Sequence, residues 1–179
     1  MRCFLDIDGV LTDFPQAANK FFSRNIPFEK FGIPSFPLEM DMSIQEIDSR
    51  FTKHFWANLP WLPTGKQVLA LVEKYFGREN TCLFTFPSHN SEAASGKVLW
   101  IKKSVPQYRD RFLIGTLKYF CANENTVLVD DKESNIEEFK QAGGSGILVP
   151  APWNCLGNED VINYLEEQFQ LLKKVYRLW

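Results

Sequence analysis

Residues 4–13 constrain the fold of this chain more than any other segment. They read Phe-Leu-Asp-Ile-Asp-Gly-Val-Leu-Thr-Asp, an apolar strand that delivers two carboxylates, Asp6 and Asp8, and then breaks at Gly9. Alternate side chains of a strand point the same way, so both carboxylates face one small volume at the carboxyl end of the strand. Carboxylates held this close repel each other, and Mg²⁺, which prefers oxygen ligands, would relieve the repulsion. The first hypothesis is therefore metal-assisted phosphoryl chemistry.

A surface turn is the alternative interpretation of this segment, because Asp and Gly are common turn formers. Two observations weigh against it. The strand is apolar on both faces, which indicates a buried central strand. A second acidic pair, Asp130-Asp131, ends another apolar strand much later in the chain. Two acidic pairs on two buried strand ends predict a site rather than two turns.

Composition and charge argue against several classes of protein. The chain has 179 residues, of which 45% are hydrophobic, enough for one domain with a moderate insertion. The formal net charge is −2, so we expect neither a polynucleotide nor a membrane as partner. No apolar run approaches the length of a membrane span, and the first strand begins at Arg2, which leaves no room for a signal peptide.

The cysteines and histidines predict no metal site of their own. Four cysteines lie far apart without a CxxC pair, which is typical of free thiols in a reducing compartment, so a cytoplasmic location is expected. The two histidines, His54 and His89, have no ligand spacing to a cysteine, so zinc is not expected. Both are interpreted as ordinary surface or packed residues.

Short apolar runs alternate with amphipathic stretches, which predicts a mostly parallel sheet covered by helices. The predicted strands are Arg2–Ile7, Thr81–Phe86, Arg111–Ile114, Thr126–Val129 and Gly146–Val149. The predicted helices of this core are Gly65–Phe76, Ser91–Ser104 with Ser91 as N-cap, Glu133–Ala142 and Asp160–Tyr176. The fold class is therefore α/β, a Rossmann-like three-layer core with a parallel sheet.

The chain between the first two predicted strands is too long for a simple crossover. More than seventy residues separate them, whereas a crossover needs little more than a dozen. We therefore predict a small helical cap over residues 14–63 and a core domain over residues 1–13 and 64–179. The predicted cap helices are Pro15–Arg24, Ser43–Phe51 and Thr52–Asn58, with an irregular stretch over Ile26–Met42. A cap in this place would act as a lid over the site, and a decorative insertion is the alternative.

Four features of the sequence, taken in order, resemble the four motifs of the haloacid-dehalogenase (HAD) superfamily of phosphohydrolases. They are Asp6-Ile7-Asp8-Gly9-Val10-Leu11-Thr12-Asp13, then Thr85 at the end of the second strand, Lys97 on the following helix, and Val127-Leu128-Val129-Asp130-Asp131. Together they cover most of the chain outside the cap. The resemblance implies an HAD-like fold and Mg²⁺ as cofactor.

The resemblance also assigns roles to the aspartates. Asp6 is the nucleophile, which forms an aspartyl-phosphate, and Asp8 is the general acid and base. The metal ligands are Asp6, the main-chain carbonyl of Asp8, and Asp131, with Asp130 behind them and not in contact with the ion. A helix cap near Glu133 is the alternative for the second acidic pair.

Phosphate contacts are expected from three further side chains. Thr85, with nearby backbone N–H groups, would hold phosphate oxygens, and Lys97 would neutralise charge on the phosphate and on the nucleophile. Lys118, after the third strand, is a weaker candidate for a phosphate contact. The alternatives are a plain strand threonine and solvated lysines.

A count of charges in this predicted site gives an expectation for pH. Four aspartates against Mg²⁺ and Lys97 leave one negative charge before a phosphate arrives. This favours a protonated Asp8 and predicts an activity optimum on the mildly acidic side.

A narrower resemblance is to the 5′(3′)-deoxyribonucleotidase family. It is carried by Asp-Gly-Val-Leu-x-Asp-Phe through Phe14, by residues 55–63 (Phe-Trp-Ala-Asn-Leu-Pro-Trp-Leu-Pro), and by Thr85 followed by Pro87 and Lys97. It implies Mg²⁺-dependent hydrolysis of nucleoside monophosphates, above all deoxyribonucleotides. A homodimer is possible, since dimers occur in the family.

Substrate recognition is expected from aromatic side chains, because a base stacks well on an aromatic ring. Phe14 is the first candidate, by position and by resemblance. The others are Phe55, Trp56 and Trp61, where the predicted cap returns to the core, and Phe86. Packing of the cap against the core is the alternative for these rings.

Three other functions stay open. The first is an HAD phosphatase that acts on another small phosphomonoester, such as a sugar phosphate. The second is a polynucleotide end phosphatase, although the chain has no basic stripe. The third is a catalytically silent HAD-like binding domain, although Asp6, Asp8 and Asp131 are all present.

Overall fold

Five parallel strands form one sheet in the computed structural model, which describes residues 1–32, 35–88 and 90–176. The strands are β1 (Arg2–Leu5), β2 (Thr81–Thr85), β3 (Phe112–Ile114), β4 (Thr126–Asp130) and β5 (Ser145–Leu148). Their order across the sheet is β3-β2-β1-β4-β5, so β1 lies in the centre, between β2 and β4. The predicted parallel α/β fold is confirmed. The interpretation of His89 lies outside the described residues.

Helices cover both faces of the sheet. The core helices are α5 (Gly65–Phe76), α6 (Ser91–Ser104), α7 (Glu133–Gln141) and α8 (Val161–Tyr176). Cys3 and Leu5 of β1 are fully buried in the main core, to which α5 and α8 also contribute. Leu128 of β4 is buried with Phe139 of α7 in a second, smaller cluster. Strand side chains that point to opposite faces therefore enter separate hydrophobic layers, as a three-layer fold requires.

The N-terminus of α6 differs from the prediction. The N-cap is Asn90 rather than Ser91, and its side-chain oxygen accepts a hydrogen bond from the backbone N–H of Glu92 at 2.9 Å. The amide nitrogen of Asn90 donates to the carbonyl oxygens of Asp48 and Phe51, each at 2.9 Å. One asparagine thus caps α6 and ties it to the segment between β1 and α5.

That segment, residues 14–63, is called the insert below. Its helices are α1 (Phe14–Phe22), α2 (Ser35–Met40), α3 (Ile44–Arg50) and α4 (Lys53–Ala57). The prediction of an irregular stretch over Ile26–Met42 is wrong for α2, while Ile33 and Pro34 lie outside the described residues. Pro37 lies in the first turn of α2, where a missing N–H costs no intrahelical hydrogen bond. The division into cap and core domains stays a prediction.

The insert packs closely on α6. A Cβ atom at Gly96 would overlap the Cβ atom of Trp56, so glycine is needed where α4 crosses α6. Within the described ranges, no helix is long and apolar enough to cross a membrane.

Candidate functional site

The turn after β1 directs the first acidic pair into the site. β1 ends at Leu5, two residues earlier than predicted, because the backbone turns where three N–H groups donate to the Ile7 carbonyl at 2.8 to 3.3 Å. Gly9 has a φ of +78°, and a Cβ atom there would overlap the Asp131 carboxylate. Glycine is therefore required at this position both for the backbone angle and for the close approach of the second acidic pair.

A buried lysine joins the two acidic strand ends. Lys118 is 4% exposed, and its Nζ lies 2.7 Å from Oδ1 of Asp6 and 2.6 Å from Oδ2 of Asp130. Sequence analysis placed Lys97 on the nucleophile and gave Lys118 only a weaker phosphate contact. In the structure the lysine that contacts Asp6 is Lys118, so the predicted assignment of the two lysines is corrected on this point.

Asp130 is fully engaged by protein donors. Its Oδ2 accepts from Lys118 and from the side-chain amide of Asn135 at 3.0 Å, and its Oδ1 accepts from the backbone N–H of Lys132 at 2.9 Å. The helix-cap alternative explains the contact with Lys132, which immediately precedes α7. It does not explain Asp131, which takes no part in these hydrogen bonds.

Asp131, unlike Asp130, has one carboxylate oxygen that could bind a metal ion. Its Oδ2 accepts from the indole Nε1 of Trp153 at 2.6 Å, and within the described residues Oδ1 accepts no hydrogen bond. One oxygen each from Asp6, Asp130 and Asp131 lie within 4.8 Å of one another. Such a set of carboxylate oxygens suits a hard divalent cation such as Mg²⁺. Both oxygens of Asp130 accept hydrogen bonds from the protein, whereas Asp6 and Asp131 each have one oxygen that accepts none from the described residues, so these two carboxylates are the candidates for binding it directly.

Lys97 holds the other member of the first acidic pair. Its Nζ donates to Oδ2 of Asp8, to the Phe86 carbonyl and, at 3.1 Å, to the Thr85 hydroxyl. Thr85 also donates to Oδ2 of Asp8 at 3.2 Å. Lys97 Nζ lies 4.6 Å from the ring centroid of Trp56, so one side chain contacts the acidic turn, β2 and the insert. The Asp8 carboxylate is thereby kept apart from the three carboxylates that surround the candidate metal position.

The site carries more negative than positive charge. Among the described residues, four carboxylates face two lysines, Lys97 and Lys118, which leaves two negative charges. Burial raises the pKa of Asp6 to about 7, although Lys118 opposes the shift. Burial, and then the charges of Asp130 and Asp6, raise the pKa of Asp131 well above its ordinary value. A divalent cation would balance the remaining charge. The count of charges made from the sequence did not include Lys118. The mildly acidic activity optimum that follows from that count stays a prediction.

These shifts predict how the stability of the metal-free protein depends on pH. Unfolded, Asp6 ionises near its ordinary pKa of 3.8, whereas folded it holds its proton up to about pH 7. The folded state therefore binds more protons between these values, and the free energy of unfolding falls as pH rises through this window. We expect a lower Tm in EDTA at pH 8 than at pH 5.5, and a larger rise in Tm on adding Mg²⁺ at pH 8.

Thermal melts at both pH values, with and without Mg²⁺, test this expectation. Asp131→Asn removes one of the two carboxyls of the site whose pKa is raised and should flatten the dependence on pH. Asp110→Asn is the matched control, since Asp110 is exposed and its carboxylate pairs with the neighbouring Arg109, outside the site. A rise in Tm with Mg²⁺ that is equal at pH 5.5 and pH 8 would contradict the expectation.

An aromatic cluster of the insert contains three of the predicted base contacts, Phe14, Phe55 and Trp56. Phe14 stacks on Trp56, with ring centroids 5.6 Å apart and planes 14° from parallel. Four further phenylalanines meet the Phe14 ring edge to face: Phe31, Phe36, Phe51 and Phe55. Trp56 is buried and Phe14 half-buried, so packing explains most of their surroundings, whereas Phe86 is exposed. A contact between any of these rings and a base stays a prediction.

Two contacts escaped the sequence analysis. The first is the bridge that Lys118 makes from Asp6 to Asp130, and the second is the hydrogen bond from Trp153 to Asp131. The contact of Lys118 with Asp6 follows from the strand order. A chain that leaves β3 at the edge of the sheet and enters β4 must pass over the ends of β2 and β1. In the sequence, Trp153 is an aromatic residue in a proline-rich turn, a pattern that does not predict a contact with a carboxylate.

No protein-family model matches this chain, and no curated protein matches it. Among solved structures, a haloacid dehalogenase-like hydrolase from Streptococcus pneumoniae matches with a TM-score of 0.54 and 14% identity, over 97% of each chain. A hydrolase from Pseudomonas syringae matches with a TM-score of 0.49 and 16% identity, over 99% of each chain. A HAD-family enzyme from Bacteroides thetaiotaomicron, in complex with magnesium and inorganic phosphate, matches with a TM-score of 0.44 and 17% identity, over 86% of this chain and 96% of that one. The first match shows that the chain has the HAD-like fold that the motifs predict.

Proposed function

We propose that this chain is a Mg²⁺-dependent phosphatase that hydrolyses nucleoside monophosphates, above all deoxyribonucleotides, through an aspartyl-phosphate on Asp6. The observation that carries the proposal is the convergence of Asp6 and Asp131, from two neighbouring strand ends, around a volume where three carboxylates face one lysine among the described residues. The HAD-like fold supports a hydrolase, and the resemblance of the motifs supports the finer assignment.

Asp6 is the nucleophile in this proposal. Lys118 holds its Oδ1, which fixes the carboxylate for attack on phosphorus. Asp6, Asp131 and the main-chain carbonyl of Asp8 would hold Mg²⁺, with Asp130 keeping Lys118 in place behind them. When bound, Mg²⁺ would screen the repulsion between the nucleophile and the phosphate and stabilise charge on the phosphoryl oxygens.

Asp8 is the general acid and base. Its side chain is 21% exposed, so it can reach both the leaving oxygen of the substrate and a water molecule. Thr12, Thr85 and Lys97 fix its orientation, with the two threonine contacts at 3.2 Å. In the first half-reaction Asp8 donates a proton to the leaving oxygen, and in the second it takes a proton from the water that attacks the aspartyl-phosphate.

The substrate would lie between this acidic turn and the insert. Thr85 and Lys97 are the proposed contacts to phosphate oxygens, and Phe14, Trp56 and Phe86 are the proposed contacts to the nucleoside. One observation favours Trp56 in particular. Its Nε1 is buried without a hydrogen-bond partner among the described residues, so it is a donor that a substrate oxygen could satisfy if the insert opens.

A panel of substrates tests the proposal. With Mg²⁺ present, we expect kcat/KM for dUMP and dTMP to exceed that for ribose 5-phosphate and glucose 6-phosphate by at least about tenfold, which corresponds to about 1.4 kcal/mol of transition-state binding. Phosphate release should vanish in EDTA and return with Mg²⁺. The measurement is steady-state phosphate release on each substrate.

Other outcomes identify the alternatives. Equal rates on every substrate remove the nucleotidase assignment and leave a general phosphatase, while faster turnover of sugar phosphates favours the sugar-phosphate alternative. No turnover on any substrate, with Mg²⁺ still bound, favours a silent binding domain. The homodimer and the cytoplasmic location stay predictions, and light scattering after size-exclusion chromatography tests the first.

A further inference from the structure

The loop after β5 reaches back to the second acidic pair through one tryptophan. The indole Nε1 of Trp153 donates to Oδ2 of Asp131 at 2.6 Å, a short distance typical of a hydrogen bond to a charged acceptor. The neighbouring Asn154 donates through its side-chain amide to the main-chain carbonyl of Asp131 and to that of Val149, each at 2.8 Å. Both the carboxylate and the backbone of Asp131 are therefore held by adjacent residues of one loop.

This loop is itself braced. The side-chain oxygen of Asn154 accepts from the backbone N–H groups of Ala151 and Leu156, at 3.3 and 3.1 Å. The backbone N–H of Cys155 donates to the Glu133 carboxylate at 2.6 Å, which ties the loop to the start of α7. Trp153 is therefore carried by a turn with its own hydrogen bonds, as a group that orients another residue requires.

The Trp153 ring also contacts the first acidic turn. A Cβ atom at Gly9 would overlap the Asp131 carboxylate and come within 2.9 Å of Cζ2 of Trp153. A Cβ atom at Gly32, in the insert, would lie 3.2 Å from the Trp153 carbonyl oxygen. The ring of Trp153 thus lies beside the turn after Asp8 and the carboxylate of Asp131, while its main chain lies beside the insert.

The chemical nature of the donor matters. An indole N–H is neutral, so it fixes one carboxylate oxygen without cancelling the charge that a cation needs. Lys118, in contrast, brings a full positive charge to Asp6 and Asp130. With Oδ2 of Asp131 occupied by Trp153, Oδ1 stays available as a single ligand atom, which suits the strict octahedral demand of Mg²⁺.

We propose that Trp153 is a positioning residue for the divalent cation: its indole N–H orients Asp131 so that the carboxylate presents one oxygen to the ion. This inference rests on the proposed function, because it assumes that Asp131 binds Mg²⁺. Groups that orient metal ligands typically change metal affinity by about 10- to 100-fold when they are removed.

Calorimetric titration of the protein with Mg²⁺, without substrate, tests the proposal. Trp153→Phe keeps an aromatic ring and loses the N–H, and we expect its Kd for Mg²⁺ to rise by about 10- to 100-fold. Trp100→Phe is the matched control, since Trp100 also donates a buried indole hydrogen bond, to the Leu59 carbonyl at 2.9 Å, yet takes no part in the site. Its Kd for Mg²⁺ should equal that of the wild type.

Kinetics give a second readout that a general loss of packing would not produce. The Mg²⁺ concentration for half-maximal activity of Trp153→Phe should rise together with the Kd, while kcat at saturating Mg²⁺ returns close to the wild-type value. A Kd for Trp153→Phe within twofold of the wild-type value overturns the inference alone. Absence of Mg²⁺ binding by the wild type overturns the proposed function, and this inference with it.

A measurement on the wild-type protein covers the case in which the variant does not fold. In ¹⁵N-labelled protein, the assigned indole N–H resonance of Trp153 should shift on titration with Mg²⁺ and broaden strongly with paramagnetic Mn²⁺. The resonance of Trp100 should not shift with Mg²⁺ and should broaden less than that of Trp153 with Mn²⁺. A Trp153 resonance that does not respond to either ion overturns the inference.

Discussion

Replacing Asp6 with asparagine is expected to abolish turnover, with a fall in kcat of at least about 10³-fold on the best substrate of the panel. Asparagine has nearly the same shape as aspartate, but its amide cannot attack phosphorus to form the aspartyl-phosphate. The fold should survive, because the substitution removes a negative charge from a region that has more negative than positive charge. Steady-state phosphate release measures the loss, and circular dichroism checks the fold.

The environment of Asp6 adds an expectation for stability. Burial raises the pKa of this carboxyl to about 7, so ionised Asp6 opposes folding of the metal-free protein above that pH. Metal-free Asp6→Asn should therefore be at least as stable as the wild type at pH 8, while being inactive. Asp110→Asn, at an exposed position, should retain both activity and stability. Normal activity in Asp6→Asn would show that Asp6 is not the nucleophile.

The acidic core of the site could be predicted from sequence because it depends on short-range rules. Asp6 and Asp131 each follow a strand whose apolar pattern identifies it as buried, and adjacent parallel strands end on the same side of a sheet. The structure places β1 and β4 side by side, with Leu5 paired to Val129, so the two carboxylates meet without help from any distant segment. Local pattern and strand direction were sufficient to place both carboxylates at this edge of the sheet, whereas the adjacency of β1 and β4 is known from the structure.

The surroundings of this pair depend on topology that the sequence pattern does not encode. Lys118 lies 112 residues from Asp6 in sequence and contacts it only because the connection from β3 to β4 crosses the ends of two strands. Strand order was not predicted, so the order of the motifs was the basis for choosing between the two lysines. Lys97 occupied the expected place in that order and was therefore preferred to Lys118. Trp153 was missed for the same reason, since only the return of the chain after β5 brings it to Asp131.

Replacing Lys118 with methionine is expected to affect both catalysis and stability. The side chain is buried and bridges two carboxylates, so its removal leaves Asp6 and Asp130 without their shared cation. Burial alone would lower the pKa of Lys118, yet Asp6 and Asp130 raise it above its ordinary value, which shows how strongly the three groups interact. Loss of such a partner typically costs about 3–5 kcal/mol of the free energy of unfolding. Loss of one electrostatic contact to the reacting group typically lowers kcat by about 10²- to 10³-fold.

Urea unfolding at pH 7.5 and steady-state kinetics with saturating Mg²⁺ measure the two effects. Lys102→Met, at an exposed position of α6, is the control and should change neither quantity. The double variant Lys118→Met with Asp130→Asn also removes one of the two carboxylates left without a cation, so it should recover part of the stability but not kcat, since Asp6 is still unsupported. This variant separates catalysis from folding if Lys118→Met alone is too unstable to assay.

Lys97→Met provides the comparison that distinguishes the two lysines. Lys97 contacts Asp8, whose side chain is 21% exposed, so water can solvate the carboxylate once the lysine is removed. We therefore expect Lys97→Met to lose less stability than Lys118→Met and to lose activity through misplacement of the acid and base.

Phosphoryl transfer to Asp6 and hydrolysis of the aspartyl-phosphate should both slow in Lys97→Met, because Asp8 acts in both steps. In Lys118→Met the attack by Asp6 should be the step that slows most. If Lys118→Met keeps kcat within threefold of the wild type while Lys97→Met is inactive, then Lys97, as the motif order first suggested, is the lysine on which the nucleophile depends.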